Sequence, residues 1–182
     1  MKKSQPRKQK GFTLIEVMVA MAVLVAGVLS LVSIFTQGLR ASYQTQIQYI
    51  AQQKAQEAME SIFTARDTRL VTSAQINNVS NGGIFMDNAQ PLCATGPDGL
   101  FGTADDDCTN NPDGIVVAPG PDKIFGTADD VTINLNPWMT RTILIAPVAN
   151  TTNLKSITVT VKWTFEGQTS QYVIQSLISN FS

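Results

Sequence analysis

The chain has no histidine among its 182 residues, so the side chains whose type and spacing could do chemistry fall into three sets. Six aspartates lie in two near copies of one segment. The copies are Gly96-Pro97-Asp98-Gly99-Leu100-Phe101-Gly102-Thr103-Ala104-Asp105-Asp106 and Gly120-Pro121-Asp122-Lys123-Ile124-Phe125-Gly126-Thr127-Ala128-Asp129-Asp130. Two cysteines, Cys93 and Cys108, bracket the first copy. One carboxylate, Glu16, stands inside a run that is otherwise apolar.

Each set points to a chemistry. Carboxylates separated by glycines suit Ca²⁺, which takes oxygens from side chains and backbone carbonyls. Asp98, Asp105 and Asp106 could furnish one such set, and Asp122, Asp129 and Asp130 another. The spacing is not that of an EF-hand, and no bidentate glutamate follows. The alternative is that these aspartates hold Asx-turns in an acidic, solvated loop. Two copies are too few for a solenoid, so they read as paired loops, 96–106 and 120–130. In an oxidising compartment Cys93 and Cys108 would pair, a constraint of about 3 kcal/mol at most; elsewhere they would be free thiols. Zinc normally wants four ligands, which two cysteines without histidine do not supply. No Gly-x-Ser-x-Gly elbow and no phosphate-cradling glycine loop with lysine occurs, and the paired carboxylates sit in turn-rich repeats. The chain is therefore expected to be no enzyme and to carry no cofactor beyond Ca²⁺ in the acidic loops.

Glu16 is the most informative of the three. A carboxylate in a bilayer-spanning helix costs roughly 2.5–3.5 kcal/mol at the helix centre, less near the interface, and normally has a partner. Glu16 therefore needs a cation, unless it merely snorkels to the headgroups. From 12 to 35 the only polar side chains are Thr13, Glu16, Ser30 and Ser33. This stretch measures roughly 36 Å as helix, enough to cross the hydrocarbon core. Lys2, Lys3, Arg7, Lys8 and Lys10 precede it with no acid among them, whereas Arg40 is the first basic residue after it. Positive charge stays on the cytoplasmic side, so the chain is read as a single pass with its bulk outside the cytoplasm. Ala20-Met21-Ala22 has the small-x-small form of a secretory cleavage site, but the apolar run continues past it through Leu29.

Residues 10–20, Lys-Gly-Phe-Thr-Leu-Ile-Glu-Val-Met-Val-Ala, resemble the class III signal of type IV pilins and pseudopilins. The resemblance implies that a prepilin peptidase/methyltransferase removes the leader 1–11 after Gly11 and methylates the new amine of Phe12. It also implies that Glu16 of one subunit neutralises the N-terminal amine of its neighbour. The implied partners are other pilins and minor pilins, met through the N-terminal helix, and the inner-membrane assembly platform. The implied place is the bacterial inner membrane, head in the periplasm, and then the pilus at the cell surface. Two family roles fit, a minor pilin of a type IV pilus and a pseudopilin of a type II secretion system. Two other classes stay open: a pilus-associated adhesin using the acidic loops, and a membrane-anchored sensor that keeps its leader. The last strand pair also resembles minor pilins of the PilV type, by pattern alone.

These residues need elements to position them. Beyond the membrane stretch, Leu39, Tyr43, Ile47, Ile50, Ala51, Ala55, Ala58, Met59 and Ile62 follow spacings of three and four, while glutamines fill the other face. This predicts one helix from 12 to about 64, with an amphipathic part over 36–65. No proline falls between Pro6 and Pro91; many major pilins carry a helix-breaking proline there, and this chain departs from that pattern. Ala20, Ala22, Ala26, Gly27 and Ser30 allow close helix contacts.

The head, 66–182, is large enough for its own core. Loss of the leader's five basic residues takes the net charge from −1 to −6. Arg66, Arg69, Lys123, Arg141, Lys155 and Lys162 form no basic stripe, so nucleic acid is disfavoured as a partner. Residues 72–91 read as loop with at most one short strand. Beyond them, 115–118, 131–135, 138–145, 154–165 and 170–178 read as strands. In 154–165, Ile157, Val159, Val161, Trp163 and Phe165 alternate with polar residues, so one face is buried. The expected fold class is α+β and type IV pilin-like: a long helical stem covering the apolar face of an antiparallel sheet.

Overall fold

The structure, a computed structural model, describes residues 11–136, 138–151 and 153–179. The basic leader residues Lys2, Lys3, Arg7, Lys8 and Lys10 lie outside them. The element order is one helix, α1 (Leu14–Asp67), then a 3-10 turn (Val79–Asn81) and six strands. The strands are β1 (Gln90–Pro91), β2 (Gly114–Ala118), β3 (Val131–Asn134), β4 (Met139–Pro147), β5 (Leu154–Phe165) and β6 (Gln168–Ser179). The chain divides into two compact units after Thr45.

In the first unit every described residue from 11 to 45 is exposed. The helix here is long and apolar enough to cross a membrane, and that window buries none of its surface within the protein. Leu39 and Tyr43, expected on the buried stripe, are 48% and 58% exposed; the stripe begins at Ile47.

The second unit holds the core. Its share of α1 buries Ile47, Ala51, Lys54, Ala55, Ala58, Met59, Ile62 and Ala65, a face at helical spacing. That face packs on a four-stranded antiparallel sheet of order β1-β4-β5-β6. β5 alternates as its sequence requires, with Ile157, Val159, Val161 and Trp163 buried. β4 supplies Met139, Arg141, Ile143 and Ile145 to the same side. β5 and β6 join through Glu166-Gly167, both at positive φ (50° and 77°), a two-residue turn whose twist matches the strands it links. The predicted sheet strands are found with ends shifted by one or two residues. β2 and β3 form a separate two-stranded antiparallel ribbon, with the second acidic copy between them. The architecture is α+β and agrees with a type IV pilin-like fold.

Candidate functional site

Gly11, Phe12 and Thr13 precede α1 without regular structure, and Phe12 is 83% exposed. The helix starts after them because Thr13 caps it. The Glu16 N–H donates to Thr13 Oγ1 at 3.4 Å and to the Thr13 carbonyl at 3.1 Å, satisfying a donor that the first turn would otherwise orphan. Glu16 is thus the third helical residue, placed where the helix dipole favours negative charge. The Gly11–Phe12 bond lies in exposed chain ahead of the helix, and the acid follows it on the first helical turn. Sequence reasoning placed Glu16 correctly in the apolar run but did not see that Thr13-Leu14-Ile15-Glu16 has the form of a capping box.

In the head, Cys93 and Cys108 form a disulfide across a sequence separation of 15, closing the segment that carries the first acidic copy. The two acidic copies adopt one backbone. Gly96 N–H donates to Asp106 Oδ1 at 3.0 Å, as Gly120 N–H does to Asp130 Oδ1 at 3.2 Å. Gly102 and Gly126 N–H donate to Asp106 and Asp130 Oδ2, both at 2.6 Å. Leu100 and Ile124 N–H donate to Asp98 and Asp122 Oδ1, both at 2.8 Å. The Thr103 and Thr127 hydroxyls donate to Asp105 and Asp129 Oδ1, both at 2.7 Å. Position four of the loop is left-handed in both, at φ 70° for Gly99 and 61° for Lys123.

These bonds give the calcium expectation no support and favour the turn alternative. Asp98, Asp105, Asp106, Asp122, Asp129 and Asp130 each place at least one carboxylate oxygen on backbone N–H groups or hydroxyls of their own loops. Among the described residues no group of three or more acidic, cysteine or histidine side chains is arranged to hold a metal ion. The loops are built as Asx-type turns. Their electrostatics follow from the same contacts. The Thr103 hydroxyl and the Asp98 N–H hold Asp105 below the usual carboxylate range, and the Thr127 hydroxyl does the same for Asp129. Burial pushes Asp106 up, against the Gly102 and Gly96 N–H groups.

Two features escaped sequence reasoning because their partners are far apart along the chain. The first is a buried charge cluster. Lys54 on α1 sits 3.0 Å from Asp113 Oδ1 and 2.9 Å from Glu57 Oε2. Burial opposes its charge, but the two carboxylates outweigh it and its pKa is raised. Arg141 on β4 is 3% exposed, with Asp113, Asp106 and Glu57 opposing a burial that pulls it down to about 10. Its guanidinium lies 4.2 Å from the centroid of Phe101 in the first acidic copy. The second feature is Asn78, 1% exposed, which stands where β1 ends along the edge of β4. Its Nδ2 donates to the Ile143 carbonyl at 2.8 Å and its Oδ1 accepts from Ile145 N–H at 2.7 Å, so one carboxamide continues the ladder as a strand would.

Comparison with protein families matches residues 6–32 to the prokaryotic N-terminal methylation motif. The match contains Gly11, Phe12 and Glu16, so the chain carries a prepilin-type N-terminus ahead of a membrane-capable helix. Neither the curated proteins nor the solved structures give a match. Nothing in the comparisons supports the PilV-type resemblance.

Proposed function

We propose that the chain is a structural minor pilin subunit. In this reading it inserts in the inner membrane with its head in the periplasm, is cut after Gly11, is methylated at Phe12, and assembles with other pilins into a type IV pilus or primes its growth. The observation that carries the reading is Glu16, set directly behind an uncoiled Gly-Phe-Thr within the matched motif. Magnitudes favour pairing over a local role. A favourable helix dipole contributes about 0.3–1 kcal/mol at an exposed site. Burying a carboxylate in hydrocarbon costs roughly 2.5–3.5 kcal/mol at the helix centre. At the first helical turn the cost is smaller, but the dipole leaves part of it standing, and a neighbour's Phe12 ammonium would offset it while being neutralised itself. The exposed apolar surface of residues 14–35 suits lipid first and neighbouring stems later.

The test is Glu16→Gln, which keeps the side-chain shape and removes the charge. The variant should reach the membrane at the normal level, while its amount in sheared filaments falls by about tenfold or more, the ratio that 1.4 kcal/mol produces. Normal incorporation of the uncharged variant would defeat the pairing.

A further inference from the structure

The two acidic copies share one backbone but differ in what covers them. In the first, Leu100 is fully buried, the Phe101 ring lies under Arg141, and the Gly102 carbonyl accepts from Met86 N–H at 2.8 Å. That Leu-Phe pair is the plug of an apolar socket whose rim is a guanidinium. In the second, the equivalent Ile124 and Phe125 are 60% and 64% exposed. They stand at the tip of the β2–β3 ribbon, where Val116, Val117, Val131 and Ile133 are exposed as well. A lone two-stranded ribbon is marginal in water. This one also holds Lys123 in a left-handed conformation, which non-glycine residues rarely adopt, so the plug shape is kept although nothing among the described residues receives it.

We propose that the loop 120–130 is a protein-docking plug: Ile124 and Phe125 insert into an apolar socket on a different polypeptide, with an arginine or lysine of that partner over the Phe125 ring. The first copy is the internal template for the socket's chemistry. Charge complementarity points the same way, because Asp122, Asp129 and Asp130 surround the plug. A second copy of this chain is a poor recipient. It is equally acidic, and its own Arg141 socket is already filled by Leu100 and Phe101. The inference does not depend on the filament reading.

The experiment places the photoreactive residue p-benzoyl-phenylalanine at position 125 of the full-length chain, irradiates intact cells, and maps the adduct by mass spectrometry. A link to another polypeptide is expected, at an apolar site with an arginine or lysine beside it. Its yield should fall by about tenfold with Ile124→Ser, since one buried aliphatic side chain is removed. A gel shift showing the Cys93–Cys108 disulfide intact verifies that the variants fold. Adducts only to lipid, only to a second copy of this chain, or to no protein would overturn the proposal, as would a yield that ignores Ile124→Ser.

Discussion

Replacing Asn78 with leucine keeps nearly the same side-chain shape and removes both hydrogen-bonding groups. The Ile143 carbonyl and the Ile145 N–H, bonded at 2.8 Å and 2.7 Å to this carboxamide, would then face an apolar side chain at a site 1% exposed. Each buried backbone group left without a partner costs about 1–3 kcal/mol, so the pair predicts a loss of roughly 2–6 kcal/mol. Against a total stability of about 5–15 kcal/mol this is a large share. For a unit of this size it lowers the melting midpoint by roughly 5–25 °C. Asn78→Ala should cost at least as much, because it orphans the same groups and leaves a gap. The assay is urea denaturation of the detergent-solubilised full-length protein, followed by Trp138 and Trp163 fluorescence. A loss below about 1 kcal/mol, the ordinary net value of a single hydrogen bond, would refute the view that Asn78 substitutes for a strand on β4.

Three further outcomes are expected. Cys93→Ser with Cys108→Ser should lower stability by about 3 kcal/mol, the loop-closure value for this separation, read as a shift of the same urea midpoint. Carboxyl NMR titration should find Asp106 protonating at higher pH than Asp105 and Asp129, in a profile that Ca²⁺ does not change. The sign carries over to stability. Asp105 and Asp129, lowered by folding, contribute stability that is present above the unfolded value near 3.8 and lost as pH falls through their folded values, whereas protonating Asp106 relieves a burial cost. Lys54→Met should be less damaging than Asp113→Ala, because losing Asp113 leaves both Lys54 and Arg141 buried beside less negative charge; comparing the two urea midpoints checks this.

How much of this was legible in the sequence depended on how local the physics is. The motif around Gly11, Phe12 and Glu16 is written in adjacent residues, and the stem needs only periodicity and the absence of proline. β5 and β6 were legible because alternation and a Glu-Gly turn are short-range signals. The disulfide followed from an oxidising compartment. Asn78 was not legible: in an Asn-, Ser- and Gly-rich stretch a buried asparagine looks like any other loop residue, and its partners lie 65 and 67 positions away. Arg141 and Lys54 were hidden for the same reason, since a cation's burial depends on carboxylates and a ring brought in from distant segments. The acidic copies show the limit most sharply. Near-identical residues predict one local conformation, which the structure has, but not that Leu100 is buried and Ile124 exposed.

A minor pilin must be processed at Gly11 and polymerised. Mass spectrometry of the N-terminal peptide from purified filaments is the direct measurement. The expected chain starts at Phe12 with a methyl group on its α-amine. A chain that still carries Met1–Gly11, or one that starts after Ala22, would contradict it.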